Sequence, residues 1–114
     1  MNFEYTKEKR PDAVVLHLKG DLIDKTQSGE FIDEIDSMIT GGNNKFILDL
    51  AELTYMNSSG LNVIINVLTK SRKSGGDVAI ANVTKKVKQL LVITKLNSIL
   101  NVSESVDDAI TKLN

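Results

Sequence analysis

The fold is decided by one continuous stretch in which a predicted strand leads into a predicted helix. The strand reads Lys-Phe-Ile-Leu-Asp-Leu-Ala over residues 45–51, and the turn after it reads Met56-Asn57-Ser58-Ser59-Gly60-Leu61. Beyond the turn, apolar residues recur at the spacing of one helical face, at Leu61, Ile64, Ile65 and Leu68. Two hydroxyl groups and a glycine therefore lie where a predicted helix begins.

A helix N-terminus presents unpaired backbone N–H groups and the positive end of the helix dipole. Ser58 is predicted to be the N-cap, accepting from the backbone N–H of Gly60 or Leu61 and contributing about 1 kcal/mol relative to alanine. A phosphate is also tolerated at such a position. Gly60 either lets another backbone approach closely or eases the turn, and Asn57 is interpreted as a turn or capping residue. We therefore interpret the turn as a site of serine modification rather than catalysis.

Length, charge and composition exclude several kinds of protein. The 114 residues are enough for one domain, predicted over 1–114. Fourteen Lys and Arg residues balance 15 Asp and Glu residues, and a net charge of −1 gives no general reason to expect nucleic-acid binding. With no cysteine and one histidine, we expect neither a metal site nor a cofactor. The expected partner is a protein.

The sequence shows no signal for export or membrane insertion. Its first ten residues lack the apolar core of a signal peptide, and no window approaches the roughly 18 apolar residues needed to cross a bilayer. We expect a cytoplasmic location.

The predicted elements follow the order ββαβαβαβα. Two alternating strands around the turn Arg10-Pro11-Asp12 predict an N-terminal hairpin, after which Gly20-Asp21-Leu22 leaves the sheet. Helices are predicted over roughly 24–40 and from the serine turn to about Lys73; further strands cover Phe46–Leu50, Val78–Ala81 and Ile99–Val102.

Two more helices complete the prediction. Thr84 is expected to cap a third helix with an inner stripe of Val87, Leu90, Leu91 and Ile93. Ser105 and Asp108 resemble a capping box that begins a fourth helix, whose inner residues are Val106, Ala109, Ile110 and Leu113. The fold class is α/β, with a mixed, mostly parallel sheet opened by the hairpin and about four helices.

The order of elements and the local sequence together resemble a STAS domain, the module of anti-sigma factor antagonists and of sulfate-transporter tails. The resemblance spans nearly the whole chain, and its most specific piece is the serine turn. The matching pieces are Gly20-Asp21-Leu22, Phe46–Leu50, Met56–Leu61, Lys73–Val78 and the Val-x-x-x-Val-x-x-Leu-Leu frame from Val83 to Leu91.

The resemblance implies an anti-sigma factor antagonist that works by partner switching in transcription regulation and is not itself an enzyme. Ser58 matches the hydroxyl that an anti-sigma factor, itself a serine kinase, phosphorylates in this family; Ser59 is the second candidate. The unphosphorylated protein would bind the anti-sigma factor, and a serine phosphatase would reset the switch. The implied partner-binding residues are Asn57, Ser58, Ser59, Gly60, Leu61, Ile23 and Asp24.

The chain departs from the family pattern at two places. The acidic residue that usually precedes the first serine is Asn57 here, and Ile23 occupies a place after Gly20 where an acidic residue is common, with Asp24 one position later. An alternative function therefore keeps the fold, as a constitutive scaffold or a transporter-associated subunit that has lost the phosphoswitch.

A hydrolase is a third hypothesis, and it requires His17 to meet Ser58 and a carboxylate. His17 is predicted to point away from the apolar side of its strand, and the serine lacks the Gly-x-Ser-x-Gly motif. Separately, the lysines 85, 86 and 88 form a basic cluster, interpreted as a solvated face that an acidic partner could contact.

Overall fold

A computed structural model describes the backbone of residues 3–23 and 25–113, together with their side chains except those of residues 25–28. The strands and helices follow the predicted order, with one short 3-10 helix added. They are β1 (Phe3–Lys9), β2 (Val14–Leu22), α1 (Lys25–Thr40), β3 (Lys45–Met56), α2 (Ser58–Lys73), β4 (Asp77–Ala81), α3 (Lys85–Ile93), the 3-10 helix Leu96–Ser98, β5 (Asn101–Ser103) and α4 (Val106–Leu113).

The five strands form one sheet in the order β1-β2-β3-β4-β5. β1 pairs with β2 in antiparallel register around the proline turn, and each remaining neighbour is parallel. The predicted hairpin and the mostly parallel sheet are confirmed. Since the parallel strands share their direction, the loops that follow β3 and β4 leave the sheet at the same edge.

The alternation of side chains along each strand sends apolar residues to both faces of the sheet. One face carries Leu16, Leu48 and Ile80, which pack with residues of α1, α2 and α3 in the larger core. The opposite face carries smaller residues, among them Val15 and Ala79, which pack against α4. Covering on both faces explains the nearly continuous apolar run in β3.

The chain stays in the sheet longer than the sequence indicates. Gly20-Asp21-Leu22 does not leave the sheet as predicted but belongs to β2, and β3 continues past Leu50 to Met56, where Leu22 and Met56 form the last register pair. Two register shifts lie in this region, so the buried residues Leu50, Leu53 and Met56 are three apart instead of two. Bulges of this kind hide a strand from a search for strict alternation.

The C-terminal third contains two smaller corrections. Ile93 is 77% exposed and does not belong to the inner stripe of α3, because it lies two residues, or about 200°, beyond the buried Leu91. The last strand begins at Asn101 instead of Ile99, because the 3-10 helix Leu96–Ser98 occupies the chain just before it.

The predicted caps of the last two helices are confirmed. The Thr84 hydroxyl accepts from the backbone N–H of Val87 at 3.4 Å, and the Ser105 hydroxyl accepts from that of Asp108 at 3.1 Å. α1 ends at Thr40 and α2 ends at Lys73, as predicted.

Candidate functional site: the serine turn

The serine turn connects the end of β3 to the start of α2 without an intervening loop. β3 ends at Met56 and α2 begins at Ser58, so Asn57 is the only residue between them. The first helical hydrogen bond runs from the backbone N–H of Leu61 to the carbonyl of Asn57, at 2.9 Å. Ser58 and Ser59 are therefore the first two residues of the helix.

Asn57 is the N-cap of α2. Its backbone is extended, with φ −109° and ψ −173°, and its Oδ1 accepts a 2.8 Å hydrogen bond from the backbone N–H of Gly60. The prediction that Ser58 is the N-cap is wrong, whereas the interpretation of Asn57 as a turn or capping residue is confirmed. The helix starts one residue earlier than predicted because β3 continues straight to Met56.

Because Asn57 caps α2, neither serine hydroxyl acts as the cap. Both Ser58 and Ser59 are exposed. In the first turn of a helix the backbone N–H groups have no intrahelical acceptor, and Asn57 satisfies only that of Gly60. The positive end of α2 therefore presents the backbone N–H groups of Ser58 and Ser59 together with their two accessible hydroxyls. The first turn of α2 contains no acidic residue.

Gly60 allows the turn to pack directly on the end of β2. A Cβ atom at this position would lie 1.8 Å from the carbonyl oxygen of Leu22 and 2.6 Å from its carbonyl carbon. Such distances exclude any side chain, so the close backbone approach is confirmed, and the approaching backbone is the chain's own. The contact brings Ile23, the residue after Leu22, beside the serine turn.

Some of the predicted docking residues are accessible to a partner, and others are buried beneath the turn. Ser58 and Ser59 are exposed, and Asn57 and Ile23 are half-buried. Gly60 is buried and Leu61, at 2% exposure, belongs to the core, so both hold the turn in place from beneath. Asp24 lies outside the described residues.

A polar network that the sequence analysis did not recognise crosses the sheet away from the serine turn. His17 Nδ1 lies 2.6 Å from Asp49 Oδ2, and His17 Nε2 lies 3.0 Å from Glu8 Oε1. The other oxygen of Asp49 accepts from Asn82 Nδ2 at 2.9 Å. The available signal was a carboxylate, Asp49, interrupting an apolar strand, on a sheet that also carries the lone histidine.

Both ring nitrogens of His17 face carboxylates, which favours the doubly protonated ring. The hydrogen bond to Glu8 is the main cause that raises the pKa of His17, while partial burial opposes it and Asp49 adds to the rise. Hydrogen bonds from His17 and Arg10 lower the pKa of Glu8. For Asp49, burial acts to raise the pKa, but hydrogen bonds from Asn82, Ala51 and His17 outweigh it and lower the pKa.

The structure does not bring His17 and Ser58 together. His17 pairs with Asp49, and Met56 lies seven positions beyond Asp49 along β3, a distance of about 23 Å at the rise of a strand. A serine nucleophile needs its base within hydrogen-bonding reach. The Ser-His-Asp arrangement that the hydrolase hypothesis requires is therefore absent from these residues.

Among residues 3–23 and 25–113, no group of three or more histidine, aspartate or glutamate residues is placed to hold a metal ion. In the same part of the chain, no helix has the length and apolar character needed to span a bilayer.

Comparison with known proteins identifies the class to which this fold and serine turn belong. The STAS domain model matches residues 4–109, and the chain belongs to the STAS domain family. The anti-sigma F factor antagonist of Paenibacillus polymyxa is 26% identical over 113 residues, covering 99% of this chain and 97% of the relative.

Solved structures share the architecture. The solution structure of TM1081 of Thermotoga maritima superimposes with a TM-score of 0.85 at 25% identity, covering 96% of this chain and 88% of that one. The Bacillus anti-sigma factor antagonist SpoIIAA has been solved phosphorylated and unphosphorylated. These two forms give TM-scores of 0.76 and 0.71 at 18% identity and cover 97% and 96% of this chain, and 100% and 96% of their own.

Proposed function

We propose that this protein is an anti-sigma factor antagonist that binds an anti-sigma factor with serine kinase activity and is released when Ser58 is phosphorylated. It acts as substrate and binding partner, not as an enzyme, within the cytoplasmic machinery that controls transcription. A serine phosphatase restores the binding form. Family membership and the relatives named as antagonists support the general role.

The main support for this proposal is that Asn57 caps α2 while Ser58 is exposed. Asn57 holds the helix start, so the Ser58 hydroxyl is exposed and takes no part in capping the Gly60 N–H. A kinase can therefore modify this oxygen without breaking the hydrogen bond between Asn57 and Gly60. Since a phosphate at a helix N-terminus meets free N–H donors and a favourable dipole, we expect the modified fold to remain intact.

We expect the same phosphate to weaken the free energy of binding to the partner by a large amount. It adds a charge of roughly −1.5 to −2 at neutral pH to a turn without acidic residues. A partner surface complementary to the uncharged turn must desolvate or repel this dianion. A difference of about 3 to 4 kcal/mol reduces affinity by two to three orders of magnitude. No large rearrangement of the domain is needed for such a switch.

Ile23 extends the proposed docking surface. Gly60 rests on the backbone of Leu22, and half-buried Ile23 is the next residue along the chain. The partner surface opposite Ile23 is consequently expected to be apolar. An apolar contact next to the modified hydroxyl increases the cost of introducing a charge there, since it leaves fewer groups to solvate the phosphate.

A direct test combines phosphorylation with binding. The protein is incubated with its cognate anti-sigma factor and ATP, and the product is examined by intact mass and peptide mapping. We expect the mass of one phosphate on residue 58, absent in Ser58→Ala and retained in the matched control Ser59→Ala. Calorimetry with the same anti-sigma factor should then show binding by the unmodified protein and at least about a hundredfold weaker binding by the phosphorylated form.

Two results would contradict the proposal in different ways. Phosphate on Ser59 alone would move the switch by one residue. Partner binding of equal strength in the wild type, in Ser58→Asp and in the phosphorylated protein would instead support the constitutive scaffold or transporter-associated subunit, for which Asn57 and Ile23 would mark the loss of the switch.

A further inference from the structure

The solvent side of α3 carries a continuous stripe of side chains, none of which belongs to the serine turn. Its members are three, four, seven and eight residues apart, which is the spacing of one face of a helix. We call it the outer face of α3; it consists of Lys85, Lys88, Gln89, Val92 and Ile93. The opposite side of the helix, with Val87 and Leu91, is buried in the core.

The C-terminal half of the outer face of α3 is apolar and exposed. Val92 is 54% exposed and Ile93 is 77% exposed, two of the four large apolar side chains with such exposure among the described residues. They line a shallow groove of about 640 Å³ together with the aliphatic chains of Lys85 and Lys88. Val92 and Ile93 therefore form an apolar contact area at this end of the helix that another molecule could cover.

The N-terminal half carries positive charge against the local electrostatics. Lys85 and Lys88 of this face and the neighbouring Lys86 lie in the first four residues of α3, near the positive end of the dipole, and the first turn contains no acidic residue. Lysines there oppose the dipole, which favours anions by about 0.3 to 1 kcal/mol each. No salt bridge found in the described part of the chain involves any of the three.

The charges of α2 and α4 are arranged in the opposite way. α4 has Asp107 and Asp108 in its first turn and Lys112 in its last, and α2 carries its basic residues in its last turn. Both follow the dipole, whereas α3 reverses it. A cluster that weakens its own helix is explained if an anionic group from another molecule neutralises it.

We propose that the outer face of α3 binds an acidic amphipathic helix of another protein. Apolar side chains of that helix cover Val92 and Ile93, and its carboxylates pair with Lys85, Lys86 and Lys88. Charge complementarity next to the exposed apolar side chains favours this occupant. This surface shares no residue with the serine turn, and the proposal does not depend on phosphorylation of Ser58.

Other occupants fit the surface less well. A second copy of the chain, docked through the same face, would offer the lysines no carboxylate to pair with, because the outer face of α3 contains none. An anionic membrane calls for a larger apolar face with aromatic residues, whereas this face offers two aliphatic side chains. Nucleic acid does not explain the exposed Val92 and Ile93, and the net charge of the chain is −1.

The test uses a synthetic peptide of about 18 residues that is helical and carries one leucine stripe flanked by glutamates. It is titrated into the isotopically labelled full chain while backbone amide signals are followed by NMR. We expect shifts concentrated in α3 and an affinity that decreases with added salt. A peptide of the same composition with the leucines dispersed around the helix should not bind.

Two pairs of variants separate the apolar and charged parts of the surface. Ile93→Asp should weaken binding at least about tenfold, whereas Ile99→Asp, at a site that is 45% exposed and outside the groove, should not. Lys88→Glu should weaken binding as well, in contrast to Lys73→Glu at the end of α2. Amide spectra of each variant establish that it is folded before its affinity is interpreted.

Specific outcomes would overturn the proposal. These are equal peptide affinity in Ile93→Asp and the wild type, shifts centred on the serine turn, concentration-dependent dimerisation that Ile93→Asp removes, or cosedimentation with phosphatidylglycerol vesicles without peptide binding. Ser58→Asp should bind the peptide like the wild type. Failure at the serine turn and failure at α3 are therefore distinguishable.

Discussion

Asn57→Ala should destabilise the protein more than Ser58→Ala, although the sequence pattern favours the opposite order. The Oδ1 atom of Asn57 accepts from the backbone N–H of Gly60 at 2.8 Å, and alanine removes this acceptor. Loss of such a cap costs about 1 kcal/mol. The Ser58 side chain does not take this capping role and is exposed, so Ser58→Ala should change the free energy of unfolding by less than about 0.5 kcal/mol.

Urea denaturation followed by circular dichroism measures the difference. With a slope of about 2 kcal/mol per molar urea, Asn57→Ala should lower the midpoint by about 0.5 M, and Ser58→Ala should leave it nearly unchanged. In thermal unfolding the corresponding loss for Asn57→Ala is about 4 °C. Asn57→Asp is the matched control, because a carboxylate oxygen can accept the same hydrogen bond and also interacts favourably with the dipole.

The result bears on function as well as stability. If Ser58→Ala proved as destabilising as Asn57→Ala, the Ser58 oxygen would be holding the helix start. Phosphorylation would then disturb the fold, and the reasoning that leaves this hydroxyl free for modification would be refuted.

Three further predictions concern the packing, protonation and capping around the site. Gly60→Ala should destabilise the protein by about 1 to 3 kcal/mol in urea denaturation, because the added Cβ would overlap the carbonyl of Leu22. Gly29→Ala, in α1, should be neutral or stabilising, because there is open space around that position. Because the pKa of His17 is raised in the folded protein, the stabilising contribution of the protonated ring is complete below about pH 6.5 and is lost as pH rises through the raised value. The urea midpoint should therefore fall between about pH 6 and pH 9, and His17→Gln should flatten this pH dependence. An unchanged slope in His17→Gln would contradict the prediction. Thr84→Ala should cost only about 0.5 kcal/mol, seen as a small decrease in melting temperature, because its 3.4 Å hydrogen bond to Val87 is long; a loss above 2 kcal/mol would require another role for Thr84.

The position of the site followed from short-range signals that a sequence shows directly. Apolar residues at the spacing of one helical face after Ser59 predicted α2, and glycine after two serines marked its beginning. The exposure of the two hydroxyls agreed with that interpretation. The assignment of the cap to Ser58 failed, since both Asn57 and Ser58 suit that role and only the end of β3 decides between them.

Contacts between distant residues were beyond the reach of the sequence. The pairing of His17 with Glu8 and Asp49 joins three strands, and no local pattern gives their relative register. The outward direction of Ile93 likewise depends on where the core lies around a short helix.

The sequence by itself determined the order of the strands and helices, the α/β class and the location of the serine turn, because periodicity, turn residues and caps act over a few neighbouring residues. Only the tertiary structure decided that Asn57 is the cap and that Gly60 packs against Leu22. The physical reason is that these features depend on how far β2 and β3 stay paired, and strand pairing is set by contacts between residues far apart in the chain.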